Sequence, residues 1–468
     1  MDKEIKKEER RKRGFTRRDF LQGLATFPVL GAFAWAAGSA NRKRRKTTGT
    51  SASSTSEEDN KNELNVALVG AGAQGSVLLN SCLLIPGLRF KAVCDIWTGY
   101  NLKRAAGMLK KYNQDVNSYE DFGEMLEKEK DLDVVIVATP DFCHARHTIA
   151  SLEAGINVYC EKEMSNNLEE ARKMVLASQR TGKLLQIGHQ RRSNPVYRHI
   201  YEKLIKETGI IGRITAINGQ WNRSFQPDLG WPAKYEIPAD KLKKYGFDSM
   251  HQFRNWRWFK GLGGGPIVDL GSHQIDIYSW FTGVNPSSVL ASGGIDFYDR
   301  STRDWYDTIM SVFEYNADSG ILRAFYQTIN TNNSQGYFEN FMGEYGTITI
   351  SESANRVGIY REPSSPAWDE WVNKGYVTSP LIPQVTEASE AVLDVRESVP
   401  QEKYGIPVNF TDPYHKPHLE NFFNAVRGRE KLNCPGETGF ETAVAVLKVN
   451  DAVEKGITLK FNPEEFKV

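Results

Sequence analysis

Three side chains in this sequence, Lys162, Asp269 and His273, carry groups that proton-transfer chemistry uses, in settings that favour such use, and Asp276 near them is a candidate to bind substrate. Lys162 stands in Glu161-Lys162-Glu163, directly behind the apolar run Asn157-Val158-Tyr159-Cys160. A charged triplet delivered to the carboxyl end of a buried parallel strand faces the edge where α/β sheets bind ligands. Asp269, His273 and Asp276 fall at i, i+4 and i+7, on one face of a helix that Gly283 can terminate. The same spacing also suits an N-cap, a core histidine and a surface aspartate. Spacing alone does not choose between these readings.

The elements that must position these groups are legible upstream. Val66-Ala67-Leu68-Val69 is a short continuous apolar run, as for a strand buried on both faces, and it leads into Gly70-Ala71-Gly72-Ala73-Gln74-Gly75. In G-x-G-x-x-G the first glycine makes the tight turn, the second lets backbone approach a pyrophosphate, and the third lets the next helix pack closely. Phosphate would lie on that helix N-terminus. The run from Arg89 to Cys94 reads as a second strand ending in Asp95, twenty residues beyond Gly75, where a ribose-binding carboxylate belongs. Ile96, rather than an arginine, follows Asp95, so a ribose 2′-phosphate would meet uncompensated negative charge. NAD is therefore expected over NADP.

A further strand, Val134 to Ala138, ends at Thr139-Pro140 on the cofactor edge. His144 follows on a helix and reads either as a surface residue or as facing the cofactor; His147 reads as a helix-surface residue. Leu184 to Gly188 closes the nucleotide half, and the segment from His189 to Tyr197 crosses into a second domain. That crossover offers Gln190 to the cofactor and Arg191, Asn194 and Tyr197 to a substrate. Gly212 to Trp221 alternates as a strand exposed on one face, followed by Asn222 and Arg223. Amides, guanidinium groups and indoles suit polyhydroxylated ligands, although the same residues can simply decorate a sheet. Arg257, before the flexible run Gly261 to Gly265, is a further cofactor candidate. Strands over 288–295, 308–313, 322–329 and 347–350 indicate a mostly antiparallel sheet, and helices are expected over 415–427 and 439–453. Residues 364–409 have no clear pattern.

Taken in order, Gly70, Gly72, Gly75, Asp95, Ala138-Thr139-Pro140 with His144, Cys160-Glu161-Lys162 and Asp269 to Asp276 resemble the glucose-fructose oxidoreductase, inositol dehydrogenase and MocA family (Gfo/Idh/MocA). The resemblance implies an α/β fold: an N-terminal Rossmann dinucleotide-binding domain, residues 64–190, and a C-terminal α+β domain, residues 191–468, with a large, mostly antiparallel open-faced sheet. C-terminal helices would pack beside the catalytic helix or on the first domain. It also implies that Lys162, Asp269 and His273 converge over the nicotinamide, and that the chain forms a homo-oligomer, a dimer or a tetramer. One departure is Glu163, where the family has proline.

Oxidation of a carbinol then needs His273 as base, Lys162 to stabilise the developing alkoxide, and Asp269 to hold the imidazole or bind a neighbouring hydroxyl. The amino end adds a constraint. Thr16-Arg17-Arg18-Asp19-Phe20-Leu21, a moderately apolar stretch and Gly38-Ser39-Ala40 resemble a twin-arginine export signal over residues 1–40, with an uncleaved anchor as the alternative. Residues 41–63 read as a solvated linker. A folded, exported, periplasmic enzyme would carry NAD out and regenerate it in place. Two chemistries fit: oxidation and reduction of sugars, or transient oxidation at C3 with elimination, a NAD-dependent glycosidase distinct from two-carboxylate hydrolysis. A non-catalytic binder of sugar or nucleotide is the third reading. With 59 Lys and Arg against 58 Asp and Glu, nucleic acid is a poor partner, and five scattered cysteines argue against a metal or disulfide scaffold.

Overall fold

The computed structural model describes residues 62–381 and 400–468, so the segment read as an export signal and all but the end of the expected linker lie outside the described residues. Strands β1 (Leu64–Val69), β2 (Leu88–Cys94), β3 (Asn117–Tyr119), β4 (Val134–Val137), β5 (Asn157–Cys160) and β6 (Leu185–Ile187) form a parallel sheet. Their order is β3-β2-β1-β4-β5-β6. The order reverses between β1 and β4, which opens a crevice at the carboxyl edge there. Alternation along β1 explains its continuous apolar run. Val66 and Leu68 pack on one face with Leu78 and Leu79 of helix α1 (Ala73–Cys82), while Ala67 and Val69 pack on the other with Leu152 of α2 (Asp141–Glu153) and Met174 of α3 (Leu168–Thr181).

The second sheet contains β7 (Ile214–Asn222), β8 (Pro286–Gly294), β9 (Thr308–Ala317), β10 (Gly320–Ile329), β11 (Tyr337–Gly343), β12 (Gly346–Ile350), β13 (Gly358–Arg361), β14 (Glu402–Tyr404) and β15 (Leu459–Lys460). They run in the order β14-β13-β12-β11-β7-β10-β9-β8-β15, antiparallel except for β7 against β10. Strands β3, β11, β13, β14 and β15 are additions to the sequence reading. All but β11 span four residues or fewer, too short to show a period.

Helix α4 (Ser272–Thr282), preceded by a π-helical turn over Ile267–Gly271, lies on the inner face of this sheet. Gly219 makes the contact possible: a Cβ there would stand 2.1 Å from the Tyr278 hydroxyl, which donates to the Phe325 carbonyl at 3.0 Å. Gly283 ends the helix in the left-handed conformation, as its position predicts. Two late helices return to the first domain. Leu419, Phe422 and Phe423 of α5 (Lys416–Val426) join the β1 and α1 cluster, and Ile187 presses on Gly439 of α6 (Gly436–Lys455). The nucleotide half is thus completed by residues more than 200 positions away.

Candidate active site

The glycine loop divides its labour between its three glycines. A Cβ on Gly75 would stand 1.9 Å from the Gly70 carbonyl, and one on Gly70 would stand 2.6 Å from the Ala138 carbonyl group, so these two allow backbone to meet backbone. Gly70 also takes a positive φ of 89°. Gly72 is different: a Cβ there would meet only Asn101 Nδ2, at 3.9 Å. Its outer face is open. Gly72 caps α1 without any side-chain hydrogen bond, and the first turn has no acidic residue. Backbone N–H groups and the helix dipole therefore face the crevice, as a pyrophosphate requires. This donor set fits a dinucleotide.

Asp95 lies at the end of β2 beside the loop. Its Oδ2 accepts from Ala71 N at 2.8 Å and Asn101 Nδ2 at 3.3 Å, and its Oδ1 from Trp97 N at 2.7 Å. Burial pushes its carboxyl up, and those hydrogen bonds oppose the shift. Asp95 thus fixes the loop as well as offering a remaining lone pair. Ile96, Thr139 and Pro140 remain partly exposed along the same edge.

Lys162 and Asp269 meet where the two domains face each other. The Lys162 amine donates to the Asp269 carbonyl and lies 3.3 Å from Asp269 Oδ1. Arg257 Nε donates to that same Oδ1 at 3.0 Å. Although burial opposes it, Arg257, Lys162 and Arg223 hold the Asp269 carboxyl well below the usual carboxylate range. His273 lies one turn along and packs against Trp221, with ring centroids 5.6 Å apart. Burial first, then the positive charge of Lys162 and Arg191, holds its imidazole well below 6.5, so it is neutral at physiological pH. A neutral imidazole beside an ammonium group is the arrangement a general base needs. One expectation changes: Asp269 holds the lysine and Arg257, and not the imidazole.

Glu161 and Gln74 tie this cluster to the glycine loop. Gln74 Nε2 donates to Glu161 Oε1 at 3.0 Å and lies 2.9 Å from His415 Nε2. Gly188 is pressed against Glu161, and a Cβ there would stand 2.9 Å from its Oε2. The Lys162–Glu163 peptide is cis. Glu163 is fully buried, accepts from Met164 N at 2.8 Å, and is pushed up by burial to about 8. Sequence reasoning missed two histidines. His415 arrives at the start of α5 with no local signal. His189 follows β6 at the same carboxyl edge, so the rule that selected Lys162 also points to it; its ring centroid lies 6.2 Å from that of His273.

Several expected ligand contacts are structural instead. His144 is buried, its Nδ1 2.8 Å from the Glu163 carbonyl and its Nε2 2.7 Å from that of Thr139. It joins the ends of β4 and β5 and is not free for the cofactor. His147 is also buried, not on the surface, and its Nδ1 lies 3.2 Å from the Thr139 hydroxyl. Arg191 is 1% exposed and paired with Glu339 and Glu352, while the Tyr197 hydroxyl donates to Glu339 at 3.0 Å. Neither can reach a substrate. Asn194 caps the helix over Pro195–His199 by accepting from Val196 N at 2.9 Å. Asn222 is committed to Ser334 and Gln327, and Asp276 to Arg192 and Thr442. The Gln190 amide Nε2 is engaged with Glu352, to which it donates at 3.1 Å. Of the substrate candidates, Trp221 and Arg223 remain at the cleft.

Residues 64–189 match a family profile described as an oxidoreductase family with an NAD-binding Rossmann fold, and residues 202–349 match the GFO/IDH/MocA C-terminal domain. Inositol 2-dehydrogenase of Salmonella paratyphi B is 33% identical over 196 residues, which cover 41% of this chain and 55% of that protein. The chain therefore spans about half the length of this curated relative. D-glucoside 3-dehydrogenase of Escherichia coli K12 is 28% identical over 273 residues, 55% of this chain and 68% of the relative. Among solved structures, levoglucosan dehydrogenase in complex with NADH superposes with a TM-score of 0.62 at 18% identity, covering 86% of this chain and 99% of that one. The likeness to that structure concerns the fold.

Proposed function

Because the chain belongs to the Gfo/Idh/MocA oxidoreductase family, we propose that it is an exported NAD-dependent oxidoreductase acting on a secondary hydroxyl of a sugar or glycoside, with its cofactor held between turnovers. The carrying observation is the Lys162 amine, anchored at Asp269 one turn from the neutral His273, on the edge that also bears the glycine loop. NAD, when bound, supplies the hydride acceptor. His273 takes the hydroxyl proton. The Lys162 ammonium group stabilises the alkoxide as it forms, and Asp269 and Arg257 keep that amine in place. Asp95 and the open backbone at Gly72 would hold the dinucleotide, and the Asp95 carboxylate would favour NAD over NADP.

Retention of the cofactor is supported by residues 223–262. They leave the second sheet and pack Ile237, Leu242, Phe247 and Met250 around Trp97, two residues beyond Asp95. Lys241 pairs with Glu120 beside this cluster. Residues from both domains would thus be available to hold an adenosine beside Asp95. Export rests on the leader-like residues 1–40. Assembly into a homo-oligomer is supported by Leu290, Met310 and Ile321, all exposed on the open face of the large sheet.

The test is to denature the purified protein, look for released NAD or NADH by mass spectrometry, and then supply sugars and glycosides. Bound cofactor and NADH formation with a sugar support the proposal. A protein that neither carries nor binds NAD overturns it. Free aglycone without net NADH would assign the elimination route instead, and Lys162→Ala and His273→Ala variants unchanged in every property would assign a binding protein.

A further inference from the structure

We infer that the substrate is a glycoside or longer saccharide rather than a free monosaccharide, because an aromatic track leads outward from His273 beyond the reach of one sugar ring. The inference rests on the sugar reading above and narrows its substrate class. Trp221 is the inner end of the track, beside His273 and stacked on Tyr337 with centroids 4.6 Å apart and planes 20° apart. Two residues on, the Arg223 guanidinium lies 5.5 Å from the Trp221 ring centroid, and its charge bears on Asp269. Two residues further, Phe225 is 53% exposed. Extended chain advances about 3.3 Å per residue, so Trp221 to Phe225 covers up to about 13 Å. That length exceeds a single pyranose and suits two rings in succession.

The outer end is a held platform rather than a stray phenyl group. Phe225 stacks on Tyr298, with centroids 5.5 Å apart and planes 23° apart. Phe297, 60% exposed, meets Phe225 edge-on at 5.9 Å. Tyr298 is fixed from behind: its hydroxyl donates to the Asn330 carbonyl at 2.8 Å and accepts from Gln226 N at 3.0 Å, and Arg303 lies 4.0 Å from its ring centroid. Arg303 is in turn paired with Asp228 at 2.7 Å. Two adjacent phenyl rings facing water on an anchored base, four residues along the chain from Trp221, are suited to the apolar face of a second sugar or an aryl aglycone.

The experiment compares kcat and KM for an aryl glycoside, a disaccharide and the matching free monosaccharide in wild type and in a Phe225→Ala/Phe297→Ala double variant. Both rings are exposed, so the fold should survive. The wild type should favour the glycosides in kcat/KM by about 10-fold or more, and the variant should lose that preference through KM. Monosaccharide kinetics and bound NAD should stay constant. Equal use of glycoside and monosaccharide by the wild type, a preference unaltered in the variant, or a change confined to oligomeric state overturns the inference alone. A wild type that oxidises no saccharide overturns the functional reading and this inference with it.

Discussion

Lys162→Met probes the proposed chemistry most directly, since it removes the ammonium charge and keeps the stem. The lysine side chain is 10% exposed, so the methionine enters a nearly closed space of similar shape. Asp269 retains Arg257 at 3.0 Å and is not left as an unpaired buried charge. The fold and the NAD site should therefore persist. Losing one preorganised donor at a developing oxyanion lowers the rate by about 100- to 1,000-fold, or about 3–4 kcal/mol of transition-state stabilisation. The pH profile supplies a second, independent sign. Lys162 is the foremost charge holding the His273 imidazole down, behind burial itself. Without that charge the imidazole rises toward 6.5, and because the base acts in its neutral form, the acid limb of kcat/KM moves to higher pH. The measurement is kcat/KM across pH with the sugar that the wild type oxidises, together with NAD stoichiometry. A loss under about 10-fold, an acid limb that stays put or moves down, or a defect explained wholly by missing NAD would refute the mechanism.

Four more substitutions test structural and ligand-binding roles. Arg191→Met leaves Glu339 and Glu352 without their buried guanidinium partner, so it should cost about 3–5 kcal/mol in chemical denaturation while the KM of the folded fraction is unchanged; a raised KM with normal stability would restore Arg191 to the substrate site. Gly75→Ala drives a Cβ into the Gly70 carbonyl and should destabilise by about 1–3 kcal/mol or more, whereas Gly72→Ala should keep the wild-type melting temperature and lose NAD affinity in calorimetric titration. Glu163 is pushed by burial from 4.5 to about 8, so between those values the unfolded carboxyl ionises while the folded one keeps its proton, and stability falls as pH rises. Glu163→Gln removes that slope, and its melting-temperature advantage should grow between about pH 5 and pH 8; a constant difference would contradict the assignment.

The nucleotide half was legible because its signals are local. The run from Val66 to Val69 shows burial on both faces, the three glycines mark positions where backbone must touch backbone, and Asp95 falls at the expected interval. The positions of Lys162 at a strand end and of His273 on a helix were likewise readable from neighbouring residues. What failed was the sorting of polar residues into free and committed ones. Arg191, Tyr197, Asn222 and Asp276 have side chains suited to a sugar, yet each is buried against a partner that is distant in sequence: Glu339 lies 148 residues from Arg191, and Thr442 lies 166 from Asp276. His415 reaches the site from the far end of the chain. Backbone sterics and hydrophobic period act over a few residues and can be read along the chain, whereas the burial and pairing of a charge depend on which remote element is packed against it. Only the folded protein decides that.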